Sequence, residues 1–302
     1  MASDVNNLKK RFKRLSKPLR PLPTGTEPRL KKAGAVRFVI LDFYGTLFIS
    51  GVGDIGADED LQSTEQFGDA LAACGFPAGP DVVESGLRLY RDVLEKYNRT
   101  LAAGGADYPE PQIEAVWLDV LRRMKKEGLI RRKVNMPAAR LFSVEYEARM
   151  NPIWPMPFLN DTLAILNGLD IQTGIISNSQ FYTPLTFEAL TGLTTVQMGF
   201  NPRLLHWSFE EQLKKPSLAF YRGFLLKLEK EFPGTSPSEV LYVGNDMLKD
   251  IYPAAALGMK TALFAGDKRS LKWRKDDDRC RNLEPDLVIT ELIQLTDCVG
   301  VP

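Results

Sequence analysis

Four consecutive apolar residues, Phe38-Val39-Ile40-Leu41, run straight into a carboxylate, Asp42. So short and unbroken a run predicts a strand buried on both faces, the mark of a parallel sheet covered by helices. Ligands of such sheets sit at the carboxyl ends of the strands. An acid placed there is a candidate nucleophile or metal ligand. The pattern recurs: Ile171-Gln172-Thr173-Gly174-Ile175-Ile176 ends on Ser177-Asn178, and Val240-Leu241-Tyr242-Val243-Gly244 ends on Asn245-Asp246. Residues 204–208, 260–264 and 286–289 supply further strands, the last closing the sheet. A strand-end hydroxyl such as Ser177 is most often a turn or cap residue, but with adjacent N–H groups it can hold one oxygen of an anion. Asp246 and Asp250, at i and i+4, share one helical face, which is unfavourable without a cation near them. A solvated pair is the alternative, and Asn245 offers an amide oxygen beside them.

The 302 residues, 44% hydrophobic and 25% charged, suffice for one large core and a second unit. A formal net charge of +1 predicts binding of the whole chain neither to nucleic acid nor to membranes. No apolar run approaches the ~20 residues of a membrane span, and nothing near Met1 reads as a signal peptide. Cys74, Cys280 and Cys298 lack close spacing, which suits a reducing cytoplasm better than a disulfide framework or a zinc site. The lone histidine, His206, reads as a packed strand residue.

Residues 57–151 carry apolar residues at helical spacing in four stretches, 66–74, 82–101, 113–129 and 138–150, punctuated by Pro77, Pro80, Pro109, Pro111 and Pro137. A further helix is expected over 160–166, with Asn160, Asp161 or Thr162 as its cap. Residues 1–34 form a basic arm. Lys9, Lys10, Arg11, Lys13, Arg14, Lys17 and Arg20 surround Leu8, Phe12 and Leu15, and Pro18, Pro21, Pro23 and Pro28 limit it to one short amphipathic helix. Its composition favours a solvated or loosely docked arm over one held by an anionic surface or an unknown partner. Gly51-Val52-Gly53-Asp54-Ile55-Gly56 matches a dinucleotide motif by letter, but eight residues separate it from Asp42, and Asp58, Glu59 and Asp60 follow. That context repels phosphate and predicts a flexible turn. The tract 267–281 mixes lysines and arginines with Asp276, Asp277 and Asp278 and reads as a solvated loop.

Asp42-Phe43-Tyr44-Gly45-Thr46-Leu47 resembles the first motif of the haloacid dehalogenase-like (HAD) hydrolases, Asp-x-Asp-Gly-Thr-Leu, whose first Asp is the nucleophile. Ser177-Asn178, Lys215-Pro216 and the pair Asp246 and Asp250 are similar to the second, third and fourth motifs, in order. The resemblance covers most of residues 36–295. It implies an α/β fold with a Rossmann-like, doubly wound parallel sheet, a core of residues 35–50 and 152–302, and an inserted, mainly helical cap of residues 51–151. It makes the glycine-rich turn a flap beside the site. It further implies Asp42, Tyr44, Ser177, Asn178 and Lys215 as catalytic residues. Phe43, Arg91, Ser177 and Lys215 would contact a small anionic substrate, and Mg²⁺ would sit on Asp42, the Tyr44 carbonyl and a motif-four acid, Asp246 or Asp250.

Tyr44 is a departure, because phosphatases carry a second Asp there. The backbone carbonyl survives the exchange; the acid–base carboxylate, worth ~10²–10⁴-fold in rate, does not. A phenol with an ordinary pKa of ~10 is a poor base. The 2-haloacid dehalogenases resemble this chain at Tyr44, work without metal and expel a halide that needs no proton. Arg91 best matches their cap arginine, and Tyr221 also carries over. Where they have a serine and an asparagine before the last Asp, this chain has Asn245 and Met247. Three readings follow. Mg²⁺-dependent hydrolysis of a small phosphate ester is placed first, because Asp246 with Asp250 favours a cation. Metal-free dehalogenation is second, and a non-catalytic binding protein using the basic arm is third.

Overall fold

The computed structural model describes residues 2–53 and 63–299. Asp54, Ile55 and Gly56 of the glycine-rich motif, and the acids after them, lie outside the described residues. In chain order the elements begin with α1 (Ala2–Leu15), β1 (Phe38–Leu41), β2 (Phe48–Ser50), α2 (Thr64–Ala73), α3 (Pro80–Ala103), α4 (Ile113–Lys126) and α5 (Met136–Met150). They continue with β3 (Ile153–Pro155), α6 (Leu159–Gly168), β4 (Gln172–Ser177), α7 (Thr183–Thr191), β5 (Phe200–Trp207), α8 (Ser208–Glu211) and α9 (Leu218–Glu231). Last come β6 (Val240–Gly244), α10 (Tyr252–Ala256), β7 (Lys260–Phe264), β8 (Leu287–Ile289) and α11 (Leu295–Cys298).

Six strands form one parallel sheet in the order β5-β4-β1-β6-β7-β8. The chain winds outward from β1 through β4 to β5, then returns to the other side of β1 with β6. This doubly wound order puts the switch point beside β1, where a ligand crevice forms. Leu41 is level with Ile175 of β4 and Val243 of β6, so the three strands end on one rim. Alternate strand residues point to opposite faces. Val39, Leu41, Leu241 and Val243 join α6 and α11 in one core, while Phe38, Ile40, Val240 and Tyr242 meet α9 in another. β2 and β3 make a separate antiparallel pair.

Helices α2 to α5 share their own core, in which the Trp117 ring lies 4.2 Å from Tyr90 and 4.7 Å from Phe142. Their positions follow the helical spacing of the sequence. The expected cap of α6 does not form. Its first turn is entered from Phe158 in the left-handed conformation, φ 63°, with no side-chain cap bond, and Thr162 is buried inside the helix.

The arm is not solvated. Leu8 and Phe12 of α1 are buried against Val144 and Ala148 of α5 and Tyr182 before α7. Lys9 pairs with Glu188 at 2.7 Å, and Arg11 and Arg14 reach Glu145 at 2.8 and 3.2 Å. The proline-containing remainder is fastened through its backbone. Leu22 O accepts from Lys268 N, Arg29 bridges Val288, and Ala33 N donates to Cys298 O. The apolar stripe of α1 thus finds a partner within the chain. No helix among the described residues is long and apolar enough to cross a membrane.

Candidate active site

Asp42 follows β1 directly, and its N–H continues the ladder to Val243 O at 2.9 Å. Gly45 then turns the chain with φ +83°; a Cβ there would come within 2.6 Å of Ser270 Cβ, so only glycine fits. Lys215 arrives from the loop before α9. Asn178, just past β4, fixes that loop by accepting from Lys215 N at 2.8 Å and donating to Lys215 O at 3.3 Å. Lys215 Nζ lies 2.8 Å from Asp42 Oδ1 and 2.6 Å from Asp250 Oδ1, with all three side chains buried. Among the described residues no donor is aligned on Asp42 Oδ1 as a hydrogen bond, and its contact with Lys215 is an ion pair.

Asp250 stands on a π-helical turn, Met247–Ile251, that follows β6. Its Oδ2 accepts from Asp246 N at 2.9 Å. The Tyr242 hydroxyl lies 3.1 Å from both Asp250 Oδ1 and the Ile176 carbonyl, and accepts from Lys215 Nζ at 3.3 Å. Burial pushes Asp250 up to about 6, despite the neighbouring Lys215, so it is ionised at neutral pH. Burial opposes the charge on Lys215, but Asp250 and Asp42 outweigh it and hold the ammonium above its ordinary range.

Asp246 faces a different cation. Its Oδ1 accepts from Leu248 N at 2.8 Å and Lys249 N at 3.2 Å, which caps the turn. The Arg274 guanidinium closes on the rest, with Nε 3.2 and 3.1 Å from the two oxygens and Nη2 2.7 Å from Oδ2. The tract expected to be a solvated loop is therefore partly structural. Met247 N donates to Lys272 O, Lys272 N to Asn245 O, and Asn245 Nδ2 to Ser270 O at 2.8 Å, while Asp267 and Ser270 are buried.

The second acid of the family motif is Tyr44, and its hydroxyl lies 2.9 Å from Thr183 Oγ1. Burial, then the nearby Glu147, push the phenol far above its usual range, so it stays neutral and can only donate or accept a hydrogen bond. Other expected site residues fall elsewhere. Phe43 is fully buried, stacked on Phe48 at 4.5 Å, so its side chain is structural. Ser177 is level with the rim but fully buried, its hydroxyl donating to Asn178 O at 3.2 Å. Arg91 is exposed on α3 and is not among the cleft's lining residues. His206 packs between Phe220 and Phe224, and burial lowers it to about 4. Tyr221 is buried, its hydroxyl donating to Lys249 O at 3.0 Å.

The cleft above Asp42 is lined by Tyr44, Asn178, Lys215, Lys249, Asp250 and Lys272, among others, and has room for about 30 Å³. A second cavity, about 320 Å³ and lined by Pro21, Pro23, Phe158 and Phe264, is larger but holds none of these groups. Among the described residues Lys215, Lys249 and Lys272 line the cleft together with Asp42, Asp246 and Asp250. Tyr242, Lys249, Ser270, Lys272 and Arg274 carried no signal in the sequence; each owes its place to contacts made after folding.

The donor set decides whether Mg²⁺ fits on the acid pair. Asp246 is saturated by Arg274 and two backbone N–H groups, and Asp250 by Lys215, Tyr242 and Asp246 N. Among the described residues no group of three or more His, Cys, Asp or Glu is placed to hold a metal ion. The acid pair therefore does not fit a divalent cation as arranged.

Comparison with family models and with curated proteins finds no match. Among solved structures, a 2-haloacid dehalogenase from Pseudomonas syringae pv. Tomato DC3000 is similar over 87% of this chain and 97% of its own, at 19% identity and a TM-score of 0.54. An L-2-haloacid dehalogenase from Xanthobacter autotrophicus, with the same identity and coverage, has a TM-score of 0.47. A predicted phosphoglycolate phosphatase from Haemophilus somnus 129pt, 14% identical over 87% of this chain and 97% of its own, also has a TM-score of 0.47. The sheet order, the strand ending in Asp42 and the first of these likenesses together place the chain in the haloacid dehalogenase-like fold.

Proposed function

We propose that the chain is a hydrolase in which Asp42 attacks a small anionic substrate, forms an aspartyl ester and releases it by reaction with water. The proposed substrate carries a leaving group that departs with its electron pair and needs no proton: a 2-haloacid first, an acyl or aryl phosphate second. The observation that carries this reading is the pairing at the strand ends, where Lys215 lies 2.8 Å from Asp42 while a buried, neutral Tyr44 fills the acid–base position. A carboxylate held beside an ammonium at a strand end is placed to attack. A phenol of this kind is a poor base for water and only a weak acid for an alkoxide leaving group. In this reading α2 to α5 form the cap, Lys215 and Lys272 favour the anionic substrate, and Asn178 keeps Lys215 in place.

Asn245 also lines the cleft, with its side chain held between Thr46 and Ser270. No step is routed through Mg²⁺, because the acid pair is engaged internally. The test is a panel of haloacids and phosphate esters assayed with Mg²⁺ and with chelator. Turnover is expected to survive the chelator. Tyr44→Asp is expected to leave halide release no faster. Turnover that needs Mg²⁺ and speeds up in Tyr44→Asp contradicts the reading.

A further inference from the structure

Two acids one helical turn apart need a cation, and the chain brings its own. Asp246 is buried, and Arg274 meets it as a fork across both carboxylate oxygens, at 2.7 to 3.2 Å. Such bidentate pairs are the strong form of the ion pair. Arg274 holds a left-handed backbone, φ 49°. A residue with a Cβ reaches that conformation only at a cost, and it persists only where the surroundings over-determine it. Here they do. The segment before Arg274 is stitched to the turn bearing Asp246 through Met247 N to Lys272 O, Lys272 N to Asn245 O and Asn245 Nδ2 to Ser270 O. Asp250, the other acid, is already paired with Lys215.

We propose that Arg274 is the resident counter-cation of this site: it occupies, on Asp246, the position a divalent metal would need, and it supplies that carboxylate's counter-charge without one. The inference rests on reading this cleft as the active site, but not on any turnover there. Arg274 is a positioning residue. Through Asp246 it holds the turn that carries Asp250, the second partner of Lys215.

The test is Mn²⁺ binding to the full chain, read from the electron paramagnetic resonance signal of free Mn²⁺. Wild type is expected to leave that signal unchanged. Arg274→Gln, which keeps a hydrogen-bonding side chain but removes the charge, is expected to bind Mn²⁺ at least about tenfold more tightly, because Asp246 then lacks a counter-charge. The gain is expected to vanish in the double variant Asp246→Asn with Arg274→Gln. Arg274→Lys is expected to behave as wild type. Circular dichroism reports folding of each variant. Stoichiometric Mn²⁺ uptake by wild type that Asp246→Asn removes overturns the proposal, and so does a folded Arg274→Gln chain that binds no better than wild type. If Arg274→Gln does not fold, the comparison of wild type with Asp246→Asn still decides. Failure of the haloacid and phosphate panel touches none of these results, so the two readings fail separately.

Discussion

Lys215 sits between two carboxylates, and its single charge cannot balance both. Asp42 and Asp250 compete for it at 2.8 and 2.6 Å, and Asp250 also takes the Tyr242 hydroxyl and Asp246 N. Among the described residues Asp42 is the less satisfied of the pair, which suits its proposed role as nucleophile. The tension is legible in pH. With Asp250 pushed up to about 6 by burial, activity is expected to fall on an acid limb near that value, as protonation removes the partner that holds Lys215. Stability moves the other way. The ordinary Asp value is about 3.9, so between about 4 and 6 the folded chain keeps a proton that the unfolded chain has lost, and from this group alone stability falls as pH rises through that window. Asp250→Asn should remove both trends; rate and Tm profiles that keep them assign the limb to another group. At this scale the sequence carried the need for a cation beside Asp246 and Asp250, but not its identity. Arg274 lies 28 residues from Asp246, and only the folded loop brings them together.

Among the elements, the strands were the most legible, because an unbroken apolar run of four or five residues that stops on a polar one fits little besides a buried strand. β1, β4 and β6 end where those runs end, and their parallel register puts Asp42, Ser177 and Asn245 on one rim. α1 was legible as a helix and illegible as a docked one. Its stripe of Leu8, Phe12 and Leu15 could be seen, whereas the charges that receive its basic face, Glu145 and Glu188, belong to α5 and α7. The segment 267–274 was missed for a related reason. Its residues are mostly polar and aperiodic, and it is held by backbone pairing to Asn245 and Met247. The docking of α1 has a measurable weight. Phe12 is 2% exposed, and truncating a buried Phe costs roughly 3–5 kcal/mol, so Phe12→Ala is expected to lower Tm by about 5–15 °C. A change under about 1 °C is the result expected of a loosely tethered arm.

Across the whole molecule, the helical unit and the sheet domain are joined close to the chemistry. Tyr108 O accepts from Lys214 N at 2.9 Å and Glu110 N donates to Gln212 O at 3.1 Å, on the residues just before Lys215. Gln180, two residues past Asn178, donates to Glu110 Oε1 and Pro111 O and accepts from Ile113 N, at 2.8 to 3.0 Å. Ser208 Oγ adds a bond to Glu110 Oε2 at 3.2 Å. The segment 108–113 thus braces the loop that delivers Lys215, and α1 adds a second fastening between α5 and α7. Gln180→Ala removes three hydrogen bonds, about 1 kcal/mol each. Amide exchange is expected to quicken by roughly tenfold or more in 108–113 and 208–215, with the sheet core protected as before. Uniform loss of protection across the chain is the contrary outcome. These bonds join residues as much as 106 positions apart, Tyr108 and Lys214, which is why local sequence patterns could not announce them.

All of this geometry converges on Asp42, the proposed nucleophile. Turnover of the best substrate from the haloacid and phosphate panel, quenched in acid during the steady state and followed by peptide mapping with mass spectrometry, reads it directly. The peptide containing Asp42 is expected to carry the mass of the esterified substrate fragment, and Asp42→Asn should abolish both adduct and turnover. An Asp42 peptide that stays unmodified throughout turnover, or a rate that survives in Asp42→Asn, would contradict the covalent mechanism.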